Sequence, residues 1–331
     1  MRGVKFMIKP AKDSVSGDGM GIRLLTESDL YAIHCATLEI LGTTGLRVSS
    51  KEAQDIFERG GCIVDREAKN VKIPKNIVED AILSAPETVE LCGRDPKKNY
   101  LAGPKVGYTN FGEGLRLIDP YTREEHVTGR KDLIQITRVC DAIDELSVYE
   151  RACGCNDVPG QVQTIHNAEK ILANTTKHSF IGSGNGYNCR KMLELAYEAA
   201  GGEENFRKNP IYSATICPNS PLMLNPEVTE VIIESARGGA PALILSMTMS
   251  GATAPITLAG SLVVHNCEVL GGMVLQQLTV KGSKCIYGTS SLGFELKYTT
   301  SPVGTPELAL MSAGVASLAK YYKLPCFVAG G

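Results

Sequence analysis

At 331 residues, with 43% hydrophobic and 21% charged residues, the chain is long enough to bury one full core and a smaller appendage. A formal net charge of −2, with neither a basic stripe nor a polybasic tail, excludes a nucleic-acid or membrane-surface role. No apolar run reads as a membrane span and MRGVKFMIKPAKDSVSGDG lacks the apolar core of a signal peptide; eleven scattered cysteines without a C-x-x-C pair fit a reducing compartment, so a cytoplasmic location is expected.

Residues 1–104 are expected to form a small α+β cap that seals one end of a larger domain. Thr26-Glu-Ser-Asp29 resembles a capping box, and Leu30, Ile33, Thr37, Leu38 and Leu41 recur at helical spacing until Gly42 and Gly45 stop the helix. Ser50 opens a second helix that ends at Gly60-Gly61. Cys62–Val64 and Val71–Ile73 read as a hairpin, and Pro74 begins a third helix over Lys75–Ser84. His34, within the first helix, reads as a partly buried polar side chain rather than a ligand.

From residue 105 to 331 a β-then-α unit repeats. The predicted strands are Val106–Phe111, Leu146–Cys153, His178–Gly182, Ile211–Cys217, Ala242–Thr248, Lys284–Thr289 and Pro325–Ala329. The predicted helices are Asp132–Ile143, Val162–Thr175, Cys189–Ala200, Pro226–Arg237, Leu258–Leu278 and Glu307–Tyr321, several opened by caps such as Asn188, Asn225 and Thr305 before Pro306. Strands alternating with helices imply a parallel sheet, because each parallel pair needs a crossover long enough to hold a helix. A doubly wound open sheet fits the same pattern. The barrel is preferred because polar residues follow nearly every strand instead of gathering at one switch point. The expected fold is therefore a (β/α)8 TIM barrel incomplete at its C-terminus, with about seven strands present, whose uncovered edges favour self-association.

Barrel active sites form in the loops after the strands. Tyr108, Phe111 and Glu113 follow the first strand; Gly182-Ser-Gly184-Asn-Gly186 follows the third, reading either as a phosphate cradle or as a tight turn. His265, Asn266 and Glu268 lie within the helix after the fifth strand. Glu268, among Leu, Val, Gly and Met, is either a functional carboxylate or an exposed one. Tyr287, Phe294 and Glu295 accompany the sixth strand. Cys153, Cys155 and Cys217 read as small core residues or as ligands or nucleophiles, and no metal site is expected.

The stretches SMTMSGATAPITLAGSLVVHNCEVLGG, YGTSSLGFELK, SPVGTPELALMSAGVASLAKYY and LPCFVAGG resemble the trimethylamine methyltransferase family. The likeness extends back through CPNSPL, NTTKH and CGRDPK. It implies a barrel enzyme that moves a methyl group from an amine to the cobalt of a separate corrinoid protein, with no cofactor bound by the chain itself and a homo-oligomeric full-length enzyme. Archaeal trimethylamine enzymes carry pyrrolysine, encoded by an in-frame amber codon, at the position that corresponds here to Gly331. Glycine there resembles the branch acting on quaternary amines such as glycine betaine, proline betaine or carnitine. For that substrate Tyr108, Phe111, Tyr287 and Phe294 are expected to supply aromatic faces worth ~0.5–2 kcal/mol each, Glu113, Glu268 and Glu295 charge, Asn266 or His265 orientation, and Arg116 or backbone amides a partner for a carboxylate. Glu124-Glu-His126-Val-Thr-Gly129 comes nearest to the corrinoid-ligand pattern D-x-H-x-x-G, but has Glu for Asp and reads as chance. Two alternatives stand beside this reading: a truncated pyrrolysine-type trimethylamine enzyme, and a non-catalytic remnant that binds quaternary ammonium ions.

Overall fold

The computed structural model describes residues 23–103 and 105–330; the N-terminal MRGVKFMIKPAKDSVSGDG segment and the candidate Gly331 lie outside the described residues. The capping box forms as its sequence implies. The Asp29 amide donates to Thr26 Oγ1 at 3.2 Å and the Thr26 amide to Asp29 Oδ2 at 2.8 Å, which starts α1 (Glu27–Thr43). After β1 (Leu46–Val48), Ser50 caps α2 (Lys51–Arg59). The hairpin β2 (Ile63–Asp65) and β3 (Asn70–Lys72) is shifted by one residue at each strand from the expected one, and α3 (Lys75–Ser84) follows Pro74.

Two strands that the sequence pattern missed come next. β4 (Val89–Leu91) and β5 (Tyr100–Ala102) pair antiparallel around CGRDPKKN. A second hairpin, β6 (Arg116–Ile118) and β7 (Glu125–Val127), turns on Asp119, whose Oδ1 accepts from the Tyr121 and Thr122 amides at 2.8 Å each.

The repeat follows: α4 (Arg130–Ala142), β8 (Tyr149–Glu150), α5 (Gly160–Asn174), β9 (Ser179–Gly182), α6 (Gly186–Ala199), α7 (Glu203–Lys208), β10 (Tyr212–Ile216), β11 (Met223–Leu224) and α8 (Pro226–Gly238). It continues through β12 (Ala242–Ser246), β13 (Met249–Ser250), α9 (Leu258–Thr279), β14 (Cys285–Thr289), β15 (Leu292–Gly293), α10 (Pro306–Tyr322) and β16 (Cys326–Val328). One six-stranded parallel sheet runs β8-β9-β10-β12-β14-β16, the order of the chain. A doubly wound sheet reverses its order at a switch point, and this one does not. The helices pack in the same succession, α4 on α5, α5 on α6, α6 on α8, α8 on α9 and α9 on α10, so they form one layer on one face.

The sheet curls. Phe180 on β9 and Phe327 on β16 are four strands apart, roughly 19 Å across a flat sheet, yet their ring centroids are 5.3 Å apart. The result is an α/β trough with helices outside and a narrow apolar lining of Val148, Phe180, Leu243, Leu245 and Ile286 inside. Its N-terminal end is plugged by the β4–β5 hairpin, whose Val89, Leu91 and Ala102 join that lining. Arg94 fixes the plug by donating from Nη2 to Thr175 O at 2.8 Å, and His178 Nδ1 lies 3.1 Å from Cys92 O.

Three expectations change. The strand predicted over Val106–Phe111 survives only as one isolated parallel bridge, Tyr108 with Leu146, with a second, Gly114 with Cys153, beyond its end, because Gly107, Gly112 and Gly114 contribute no side chains to hold an edge strand. Of residues 1–104 only the β4–β5 hairpin closes an end of the sheet, whereas α1, α2 and α3 lie against α9, and β11 from the loop after β10 joins the sheet of β1, β2 and β3 beside β1. Covered by the cap on one side and by β12 and β14 on the other, α9 is almost wholly buried. By length and composition alone it does qualify as a membrane span, contrary to the expectation that no run would.

Candidate functional site

Alternation along each strand decides which side chains line the trough and which face the helices. In β12, Ala242, Ile244 and Ser246 face outward while Leu243 and Leu245 face inward; in β14, Tyr287 faces outward and Ile286 inward. Three predicted residues, His265, Asn266 and Tyr287, therefore meet, but between sheet and helices rather than in the trough. Tyr287 Oη donates to Asn266 Oδ1 at 2.6 Å, and Asn266 Nδ2 donates to Thr37 Oγ1 at 2.9 Å and to Tyr322 Oη at 2.8 Å. His265 Nε2 donates to Gly288 O at 3.0 Å, and burial holds its imidazole neutral, down to about 4. His34 ends the network with Nδ1 3.1 Å from Tyr322 Oη.

Glu268 is fully buried, not an exposed helix carboxylate. Ser246 Oγ at 2.6 Å, Ser220 Oγ at 2.8 Å and the Leu222 amide at 3.0 Å all donate to it. Burial raises its carboxyl above the usual range, and these donors work against the rise. Its geometry ties the loop after β10 to the C-terminal end of β12.

The four aromatic rings expected to cage a cation do not come together. Tyr287 packs on His265 and Tyr322 at centroid separations of 5.3 and 6.1 Å. Tyr108 and Phe111, 67% and 74% exposed, sit on the sheet edge at different heights. Phe294 is half-buried in the loop after β14, and Glu295 is exposed, accepting from the Lys297 amide at 2.9 Å. Arg116 is occupied by Glu125 across the β6–β7 hairpin. The glycine run is a turn: the Gly186 amide donates to Glu230 Oε2 at 3.0 Å and the Asn188 amide to Asn185 Oδ1 at 2.9 Å, so these helix N-terminal donors are taken. Cys153 and Cys155 are buried free thiols, His126 pairs with Asp132 at 3.1 Å, and among the described residues no three His, Cys, Asp or Glu converge as metal ligands.

The residue that sequence reasoning missed is Glu150. It ends β8 on the inner face, paired with Phe180 and held by Asn110, whose Oδ1 accepts from the Glu150 amide at 3.0 Å and whose Nδ2 donates to Glu150 O at 2.8 Å. Although the residue as a whole is partly exposed at the mouth, its Oε2 is sealed and has no hydrogen-bond partner among the described residues. Thr109 Oγ1, Arg151 Nε and Thr215 Oγ1 share that condition. Burial foremost, and then the charge of Glu113, pushes the Glu150 carboxyl up to about 8, with Arg151 pulling the other way. Arg151 Nη2 and Glu113 form an ion pair on the rim. The signal was present in the sequence, since alternation through Leu146–Cys153 sets Val148 and Glu150 on one face. A crevice of about 270 Å³ beside Cys92, Arg94, Asn99, Asn205 and Asn209 lies by the plug, at the opposite end of the strands.

Residues 10–331 match the trimethylamine methyltransferase (MTTB) family. Trimethylamine methyltransferase MttB of Desulfitobacterium hafniense (strain DSM 10664 / DCB-2) is 52% identical over 315 residues, covering 95% of this chain and 64% of that protein. The protein of the same name from Methanosarcina thermophila is 44% identical over 320 residues, 95% of this chain and 66% of its own. Glycine betaine methyltransferase of Desulfitobacterium hafniense (strain Y51) is 28% identical over 310 residues, covering 93% of this chain and 64% of that protein. The chain thus spans about two thirds of the length of these relatives. The crystal structure of the Methanosarcina barkeri monomethylamine methyltransferase MtmB superposes with a TM-score of 0.51 at 10% identity, over 90% of this chain and 66% of that one, a likeness of fold.

Proposed function

Because the chain belongs to the trimethylamine methyltransferase family, we propose that it moves a methyl group from a methylated amine to Co(I) of a partner corrinoid protein, its second substrate. The family match over residues 10–331 carries this reading. The trough is then part of a (β/α)8 barrel over residues 105–331, with residues 1–104 as an appended region. The plug closes one end, so both substrates meet at the C-terminal mouth. The electron pair of Co(I) forms the cobalt–carbon bond while the carbon–nitrogen pair stays on nitrogen, so the amine must enter as an ammonium to leave neutral. The chain's contribution is positioning: Asn110 fixes the backbone of Glu150 at the mouth, and Glu268 clamps the flanking loop through Ser220, Leu222 and Ser246.

Relatives named for trimethylamine at 42–52% identity, against 28% for glycine betaine, favour trimethylamine as the amine. A quaternary amine is the second reading, favoured by Gly331 at the position corresponding to pyrrolysine. Both are tested anaerobically with the protein, a corrinoid protein poised as Co(I), and a panel of trimethylamine, glycine betaine, proline betaine and carnitine. Methyl-Co(III) absorption rising with one amine identifies it. Amine binding without any such rise leaves the non-catalytic binder, and response to none overturns the proposal.

A further inference from the structure

Glu150 combines three features that no packing role explains. It lies on the inner face of the sheet, its neighbour Gly112 leaves the room its side chain uses, and its Oε2 is sealed without a partner among the described residues. A Cβ at Gly112 would come within 2.8 Å of Glu150 Cγ. Burying a carboxylate oxygen unpaired is costly, and the fully buried carboxylate of Glu268 avoids that cost with three donors. The titratable groups facing Glu150 are Glu113 and Arg151, already paired with each other, and Cys217, whose thiol desolvation pushes up to about 12. None of these offers the sealed oxygen a hydrogen bond.

We infer that the Glu150 carboxyl is the subsite for the N–H of a tertiary ammonium ion, so that this mouth takes trimethylammonium in preference to a quaternary ammonium. The inference rests on the amine reading above and deepens it. Only an ammonium that retains an N–H can donate to this carboxyl, whose partly exposed side faces the mouth and which no protein donor holds in place; a quaternary ion of similar size offers methyl groups alone. When uncharged trimethylamine arrives at neutral Glu150, the carboxyl proton passes to nitrogen, giving carboxylate and trimethylammonium in a charge-assisted hydrogen bond. When the ammonium arrives already protonated, Glu150 releases its proton to solvent and the same pair results. The proton then remains on nitrogen as the methyl group leaves, so the departing dimethylamine is neutral.

Calorimetry on the 331-residue chain near pH 7, in two buffers of different ionisation enthalpy, tests this with trimethylammonium and tetramethylammonium chloride. The expected result is roughly tenfold tighter binding of trimethylammonium, accompanied by proton release, and loss of both in Glu150→Gln. Infrared difference spectra of the unmutated protein provide a readout independent of the variant's folding: trimethylammonium should abolish a protonated carboxyl band. Equal binding of the two cations, or an unchanged carboxyl band with trimethylammonium bound, overturns the inference and leaves the amine reading standing. Failure to bind either cation overturns both.

Discussion

Two glutamates, Glu268 wholly buried and Glu150 with one buried carboxyl oxygen, separate structure from chemistry in this protein. Glu268 lies between α9 and the sheet with three donors at 2.6–3.0 Å, while Glu150 lies on the inner face with an oxygen that no described residue reaches. Both carboxyls are raised by burial, so a raised pKa does not distinguish them. Hydrogen-bond saturation does. A saturated carboxylate holds loops in place, whereas an unsaturated one keeps its capacity for a ligand.

Removing Glu268 should have the largest effect. Glu268→Ala leaves Ser220, Ser246 and the Leu222 amide without their acceptor and opens a cavity, at a cost of about 3–5 kcal/mol in urea denaturation. A loss below about 1 kcal/mol would show that the clamp is not a structural element and would erase the contrast with Glu150.

Glu150→Gln should act in the opposite direction and depend on pH. With a folded-state value of about 8 against an ordinary 4.5, the folded protein holds this proton more tightly than the unfolded chain. Stability is therefore lost as pH rises from about 4.5 to about 8, and the loss levels off above that. The glutamine variant should match the parent near pH 4 and exceed it at pH 9 by a few kcal/mol at most, roughly 1.4 kcal/mol per unit of pKa difference. Melting curves across that range that run parallel for the two proteins would place Glu150 in a solvated setting.

Tyr322→Phe removes one hydroxyl from the saturated network of His34 and Asn266, and about 1 kcal/mol of stability should go with it. A smaller effect still belongs to the rim: Arg116→Ala breaks an exposed ion pair with Glu125 and should change stability by no more than ~0.5 kcal/mol. If Arg116→Ala instead weakens amine binding while leaving the melt unchanged, the β6–β7 hairpin belongs to the substrate site.

Local and sequential features were legible in the order of residues alone: the Thr26–Asp29 box, the Ser50 and Thr305 caps, the succession of strands and helices, and the family. Caps join residues three apart and periodicity is a property of one segment, so neither needs the rest of the chain. The sequence pattern misjudged the strand over Val106–Phe111, where glycines and an edge position defeat a plausible apolar run, and the β4–β5 plug, whose strands are only three residues each. Which polar side chains are satisfied depends instead on contacts made across the fold. Asn266 meets Thr37 across 229 residues, Glu268 meets Ser220 across 48, and the curl that brings Phe180 to Phe327 sets Glu150 on the inside of the trough. Those contacts depend on sheet register and curvature, set by all six strands together, so the same residue type appears in the sequence as one signal and in the fold as two different roles.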